Sequence, residues 1–249
     1  MTETLNPVAR NLVGKVALVT GSAKRLGRAI ALHLAAEGAD VIVHYHQSSG
    51  DAEEVVAEIK KLGRLSISLA ADLAKKSDID LLFANAAKEF GRLDILVNNA
   101  SNFLHTEFAA TTEQSWDASL DVNLKAPFFC AQAAAPLLRK TRGVIINLSD
   151  VAGLLGWTGY IPHCVSKAGI IMLTRALAKE LAPDVRVNAI APGTITMPGD
   201  APELEADYIK RAPLRRSGST EDLTAAVSFL VNSPFITGQI LVLDGGRTL

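Results

Sequence analysis

A histidine and a lysine four residues apart, His163 and Lys167 in the stretch GYIPHCVSKAG, carry the clearest chemical signal in this chain. Residues at i and i+4 share one face of a helix, so both side chains would enter the same site. Asp150, closing the apolar run GVIINLSD, brings a carboxylate to a strand end. Asn123, in DVNLKAPFF, brings an amide that can donate and accept. An acid, a base and a cation brought into one site are the material of proton transfer. Tyr160, three residues before His163, falls out of the four-residue register with Lys167 and is read as a substrate-facing group. His163 and Lys167 alone do not make a coordination shell, so no metal is expected.

A second signal lies near the start of the chain, in VTGSAKRLGRAIALHL. Gly21 follows an apolar run and Gly27 opens a helical one. Glycine allows the tight turn, and free N–H groups at a helix start favour a pyrophosphate. Leu26 lies between Arg25 and Gly27. The next apolar run ends in His44, Tyr45 and His46, without the Asp or Glu that would hold a ribose 2′-hydroxyl. With Lys24, Arg25 and Ser48 nearby, this favours NADP(H) over NAD(H). Asp72 and Leu73 stand where a third strand ends, with the carboxylate placed to accept from an adenine amine. Asn99 and Ala100 end a fourth strand, where small and amide side chains let the backbone pack against adenosine.

These groups need a scaffold, and the hydrophobic pattern supplies one. Short runs (KVALVT, DVIVHY, LSISLAADL, DILVNNA, GVIINLS, VRVNAIAPG and ILVL) alternate with helical segments at about Leu26 to Glu37, Ala52 to Leu62, Ile79 to Phe90, Glu113 to Leu138, Lys167 to Leu181 and Asp222 to Val231. The alternation predicts an α/β Rossmann fold: one domain over residues 1–249, a doubly wound parallel sheet of about seven strands, helices on both faces. The stretch 194–218, rich in Pro, Gly and charge, follows a strand's carboxyl end and reads as a substrate-covering loop with a short helix.

Composition narrows the function classes. Of the 249 residues 49% are hydrophobic but only 5% aromatic, which suits buried parallel strands. A formal net charge of −1, with both signs spread along the chain, leaves no footprint for nucleic acid or a membrane surface. The first residues, MTETLNPVARNLVG, show neither a basic nor an apolar leader region, and no apolar run is long enough to span a bilayer. Cys130 and Cys164 lie outside any ligand or CxxC spacing and read as buried free thiols, consistent with a cytoplasmic protein.

Taken together, Thr20-Gly21 with Gly27, Asp72, Asn98-Asn99-Ala100, Asn123, Lys167, Pro192-Gly193 and ITGQILVLDGG resemble the short-chain dehydrogenase/reductase family over nearly the whole chain. Within it, Arg25 in TGxxxRxG, HYHQSS and NNASNF look like pteridine reductases. The resemblance implies that Pro192 and Gly193 belong to the cofactor site, as does Lys167. It also implies that Ser101 bonds a pterin or a cofactor phosphate, that Phe103 stacks on a flat heterocycle, and that members assemble as homotetramers. Asp150 stands at the family's serine position, as in pteridine reductases. Two positions depart: Gln47 replaces an arginine, and His163 replaces the tyrosine.

That tyrosine protonates a developing alkoxide because a lysine ammonium lowers its pKa, and neutral imidazole cannot do the same directly. Lys167 and an oxidised nicotinamide disfavour imidazolium, whereas Asp150 favours it. Three outcomes stay open: charged His163 as the acid, Asp150 or a water as the acid, or loss of hydride transfer. An iminium needs less proton help than a carbonyl. The main expectation is therefore reduction of a planar C=N or conjugated small molecule, pterin-like or a cyclic imine. The alternatives are a carbonyl or 3-oxoacyl reductase, or an NADP-binding protein with impaired chemistry.

Overall fold

The computed structural model describes residues 11–197, 200 and 202–249. Its centre is a seven-stranded, all-parallel sheet in the order β3-β2-β1-β4-β5-β6-β7. In chain order the strands are β1 (Val16–Val19), β2 (Asp40–Tyr45), β3 (Ser66–Ala70), β4 (Ile95–Asn98), β5 (Val144–Leu148), β6 (Arg186–Pro192) and β7 (Ile240–Leu243). All residues of β1, β4 and β5 are buried, which is why these strands read as unbroken apolar runs: helices cover both faces.

Successive side chains of β1 serve the two faces in turn. Ala17 and Val19 join a cluster with Ile30 and Leu34 of α1 (Arg25–Ala36), Val55 and Ile59 of α2 (Ser49–Lys61) and Leu230 of a later helix, Thr220–Val231. Val16 and Leu18 join the opposite cluster. There they meet Leu82 of α3 (Lys76–Phe90), Leu138 of a helix at Ala126–Thr141 and Leu177 of a helix at Ile161–Glu180. Each such Leu or Ile contributes about 1.5–3 kcal/mol on burial, so the central strands are fixed from both sides.

Five helices need comment because they frame the site. The segment expected as one helix from Glu113 to Leu138 is α4 (Glu113–Leu120) and α5 (Ala126–Thr141), joined by a π-helical turn at Asp121–Lys125. Such turns are often found at functional sites, and this one holds Asn123. The helix expected around Lys167 is α6 (Ile161–Glu180), which puts His163 in its first turn and Lys167 one turn on. Within 194–218 lies the short α7 (Pro202–Arg211), while Pro198, Gly199 and Ala201 of that segment fall outside the described residues, as do residues 1–10. α8 (Thr220–Val231) starts at a reciprocal cap between Ser219 and Asp222. Cys130 and Cys164 are buried and unbonded, and burial pushes the Cys130 thiol up to about 12.

Strand order reverses between β1 and β4, so the chain departs to opposite sides and leaves a crevice at the strands' carboxyl ends. Among the described residues no helix is long and apolar enough to cross a membrane.

Candidate active site

A cleft of about 670 Å³ runs from the β1–α1 turn to the first turn of α6. At its first end Gly21 takes φ +64°, and its N–H donates to Nδ1 of His44 at 2.9 Å. Nε2 of His44 lies 3.2 Å from the Ala71 carbonyl oxygen, so one neutral tautomer, Nε2–H, satisfies both contacts. Burial pushes this imidazole down to about 4, and it stays uncharged. His44 therefore braces the turn and does not supply charge to a phosphate.

The turn is also tied to β4. Nδ2 of Asn99 donates to the carbonyl oxygens of Thr20 (2.8 Å) and Gly21 (3.2 Å), and the Thr20 hydroxyl accepts the N–H groups of Asn99 and Ala100, both at 2.9 Å. A Cβ on Gly27 would overlap the Gly21 carbonyl oxygen and come within 2.6 Å of Asn99 Nδ2. Only a bare residue fits. Lys24, at the N-cap of α1, makes no side-chain cap, and the helix's first turn holds no acid. Bare glycines and an uncapped helix start form the cradle that a dinucleotide pyrophosphate requires.

Arg25 sits at φ +49°, where glycine is usual, and its guanidinium holds Asp200 through two bonds of 2.8 and 3.1 Å. Lys24 Nζ is 3.0 Å from Asp51. Both cations that the sequence placed beside a 2′-phosphate thus hold carboxylates of this chain. Exposed His46 is the other basic group on the lining near the end of β2. Asp72 accepts the Ala74 N–H at 3.1 Å and meets Lys75 at 3.2 Å.

At the far end His163 is 2% exposed. Its Nδ1 lies 3.3 Å from the Asn102 carbonyl oxygen, and its Nε2, buried, has no hydrogen-bond partner among the described residues. The nearest carboxylate is Asp150, with Oδ2 at 3.8 Å from Nε2. The other oxygen of Asp150 accepts the Ala152 N–H at 2.7 Å and so caps the 3₁₀ turn Val151–Gly153. A Cβ on Gly153 would lie 2.7 Å from the Lys167 carbonyl carbon, so this turn and α6 meet backbone to backbone. Lys167 donates from Nζ to the Leu148 carbonyl at 3.0 Å. Burial pushes its ammonium down to about 8, with Asp150 acting in the other direction.

Asn123 differs from expectation. Its Oδ1 accepts the Asn102 N–H (2.8 Å) and the Ser101 hydroxyl (3.1 Å), and its Nδ2 donates to the Asn102 carbonyl (3.0 Å) and Ser166 Oγ (3.3 Å). The amide is committed within the protein. It positions the carbonyl that holds His163, and it does not line the cleft.

Phe103 is 56% exposed and stacks on Tyr160 with ring centroids 4.5 Å apart and planes 15° apart. It meets His163 edge-on at 4.8 Å and Trp157 at 6.4 Å. Tyr160 is not on the lining of the main cleft; its ring backs Phe103 and walls a second cavity.

Gly21, Lys24, Arg25, Leu26, Gly27, His44, His46, Asp72, Leu73, Asn99, Ala100, Ser101, Phe103, Asp150, His163, Lys167 and Pro192 are brought onto one cleft. Ser48 stands off it, at the N-cap of α2, and Gly193 lies behind Pro192 with its Cα against the Tyr208 hydroxyl. Asn102 and Asp200 were missed. The motif NNASNF contains the first but says nothing of its carbonyl, and the second meets Arg25 across 175 residues of sequence.

The fold, the glycine turn and the lysine of α6 define a nucleotide-binding α/β oxidoreductase scaffold. A family model described as enoyl-(acyl carrier protein) reductase matches residues 21–248. The 3-oxoacyl-[acyl-carrier-protein] reductase of Staphylococcus aureus is 41% identical over 239 residues, covering 93% of this chain and 97% of its own. Among solved structures, a blue fluorescent protein from a metagenomic library, in complex with NADPH, superposes with a TM-score of 0.90 at 32% identity, covering 96% of this chain and all (100%) of that one. A 7α-hydroxysteroid dehydrogenase complexed with NADH and a 7-oxo bile acid does so with a TM-score of 0.90 at 30% identity, covering 97% of both chains. The chain belongs to the short-chain dehydrogenase/reductase family. The narrower likeness to pteridine reductases has no counterpart in these matches, where the curated relative is a 3-oxoacyl reductase.

Proposed function

We propose that this protein is an NADPH-dependent reductase of a carbonyl substrate of the 3-oxo type, with His163 in the role of proton donor. The observation that carries this reading is the buried, unpartnered Nε2 of His163 on the cleft wall. Its similarity to 3-oxoacyl reductases favours a carbonyl over the C=N bond expected from the sequence.

When bound, the cofactor supplies hydride from its nicotinamide. The chain's own groups do the rest. The backbone at Gly21, Leu26 and Gly27 receives the pyrophosphate. Lys24, released from Asp51, with His46 meets a 2′-phosphate, for which no carboxylate at the end of β2 competes. Asp72, Leu73, Asn99 and Ala100 frame the adenosine, and Pro192, Gly193 and Lys167 belong to the nicotinamide end. His163 donates from Nε2, and with Nδ1 facing the Asn102 carbonyl at 3.3 Å the neutral ring left behind keeps its proton on Nδ1. Asp150, 3.8 Å away, faces the resulting charge change.

A second reading, reduction of a planar C=N or pterin-like ring, is favoured by the exposed face of Phe103 and the aromatic set behind it. NADPH oxidation separates the readings. Faster turnover of 3-oxoacyl thioesters and ketones than of dihydropterins and cyclic imines is expected, and the reverse order replaces the first reading by the second. NADPH binding without turnover of any of them leaves a nucleotide-binding regulator. The apolar surface left by Phe128 of α5 and by Val165 and Met172 of α6, and again by Phe229 of α8 and Val242 of β7, supports a homotetramer, checked by light scattering. The buried free thiols suit a cytoplasmic location.

A further inference from the structure

Beside the reacting end lies a separate concavity of about 520 Å³, lined by Leu155, Gly156, Trp157, Thr158 and Tyr160 together with Arg211 and Arg247. Its chemistry differs from that of the main cleft. Two guanidinium groups and two amphipathic rings face it, and among the described residues no carboxylate is on its lining. Arg247 is half-buried, and its guanidinium makes no hydrogen bond or ion pair among the described residues. A partly desolvated guanidinium such as that of Arg247, facing a cavity without an acid among the described residues, is a receptor for a planar anion, because its fork matches carboxylate or phosphate oxygens two at a time. The neighbouring indole and phenol rings give apolar cover to the rest of such a group.

The cavity's position links it to the chemistry. Tyr160 forms its wall and stacks on Phe103, whose ring lines the main cleft and meets His163 edge-on. One pair of stacked rings therefore separates the two spaces. A molecule whose reducible group rests against Phe103 and His163 can extend past the edge of that pair and place a second group at Arg247.

We infer that the cavity around Arg247 and Trp157 is a substrate subsite for an anionic oxygen group, carboxylate or phosphate, so that the physiological substrate is an acidic small molecule. This rests on the reductase reading for what happens in the main cleft, but the subsite itself can be tested without turnover. Trp157 reports occupancy: binding of benzoate, phenyl phosphate and benzamide to the NADPH-bound protein is followed by indole fluorescence, with Trp157→Phe separating its signal from that of Trp116. Benzoate or phenyl phosphate is expected to bind about tenfold more tightly than neutral benzamide, the preference being weakened by salt. The tighter of the two names the group as carboxylate or phosphate.

Arg247→Gln is expected to bring the anions down to the level of benzamide, and Arg247→Lys, which keeps charge without the fork, to retain part of the preference. Equal binding of benzamide and the anions by the unaltered protein overturns the inference, as does an undiminished preference in Arg247→Gln with a normal unfolding midpoint. In turnover, the ratio of KM for a keto ester to KM for the matching keto acid should exceed about ten and fall towards one in Arg247→Gln. Anion binding with no turnover of any substrate sinks the reductase reading and leaves the subsite standing; turnover without anion preference does the reverse.

Discussion

At the glycine turn the polar side chains are answered from within the chain, and only the backbone N–H groups of the helix start are left for a ligand. His44 has both ring nitrogens engaged, Asn99 bonds two carbonyls of the turn, Thr20 accepts two N–H groups, and Lys24 and Arg25 each hold a carboxylate. At the other end of the same cleft, His163 keeps one nitrogen without a partner, Asp150 stands 3.8 Å from it, and Phe103 shows more than half of its surface. One end is a finished mould whose shape is its function. The other retains groups whose hydrogen-bonding capacity is reserved for something that arrives, as a site of chemistry must.

The comparison breaks first at His163. His163→Phe removes the free nitrogen while the ring still packs on Phe103, so turnover should fall by about 10²–10⁴ with the NADPH dissociation constant nearly unchanged. A parallel loss of cofactor affinity would mean that the two ends are not separable. His163→Tyr should raise carbonyl reduction over its Phe counterpart.

Gly27→Ala tests the mould. A Cβ there meets the Gly21 carbonyl and Asn99. NADPH affinity should drop by about 100-fold, even though alanine within a helix is otherwise favoured by about 1 kcal/mol. Titration of the cofactor checks this, and unaltered affinity would show that the turn yields.

The two ends also differ in where pH acts on them. His44 titrates at about 4 in the folded chain, below its ordinary value, so between pH 6.5 and 4 the unfolded chain takes up a proton that the folded one refuses. Stability should fall as pH drops through that window, by about 3 kcal/mol in all, and His44→Gln should flatten the slope in urea titrations. Lys167, at about 8, has the same sign in a higher window: apoprotein stability should rise as pH climbs from about 8 to 10.5. The smallest effect is expected from Asp200→Asn, which releases Arg25 and should tighten NADPH binding by about two- to fivefold.

Much of this was readable in the chain. Unbroken Val, Ile and Leu runs marked strands buried on both faces, and Gly21, Gly27 and Lys167 sit where their spacing put them. What could not be read depends on groups distant in sequence. The π-turn that spends Asn123 on Asn102 has no local signature in DVNLKAPFF. Arg25 looked like a phosphate ligand because nothing in TGSAKRLG reveals an aspartate 175 residues on. His44 could be read only as a strand-end residue beside the cofactor, and only the fold shows it walled in and neutral.

Gly153 has a bearing on all proton movement here. Because the 3₁₀ turn bearing Asp150 rests on the main chain of α6 with no side chain between them, carboxylate and imidazole ride on one rigid block. Domain breathing cannot alter the gap between them; rotation about side-chain torsions can. Reach along one side chain, more than loop motion, is then the dial that evolution or an engineer would turn to retune this pair.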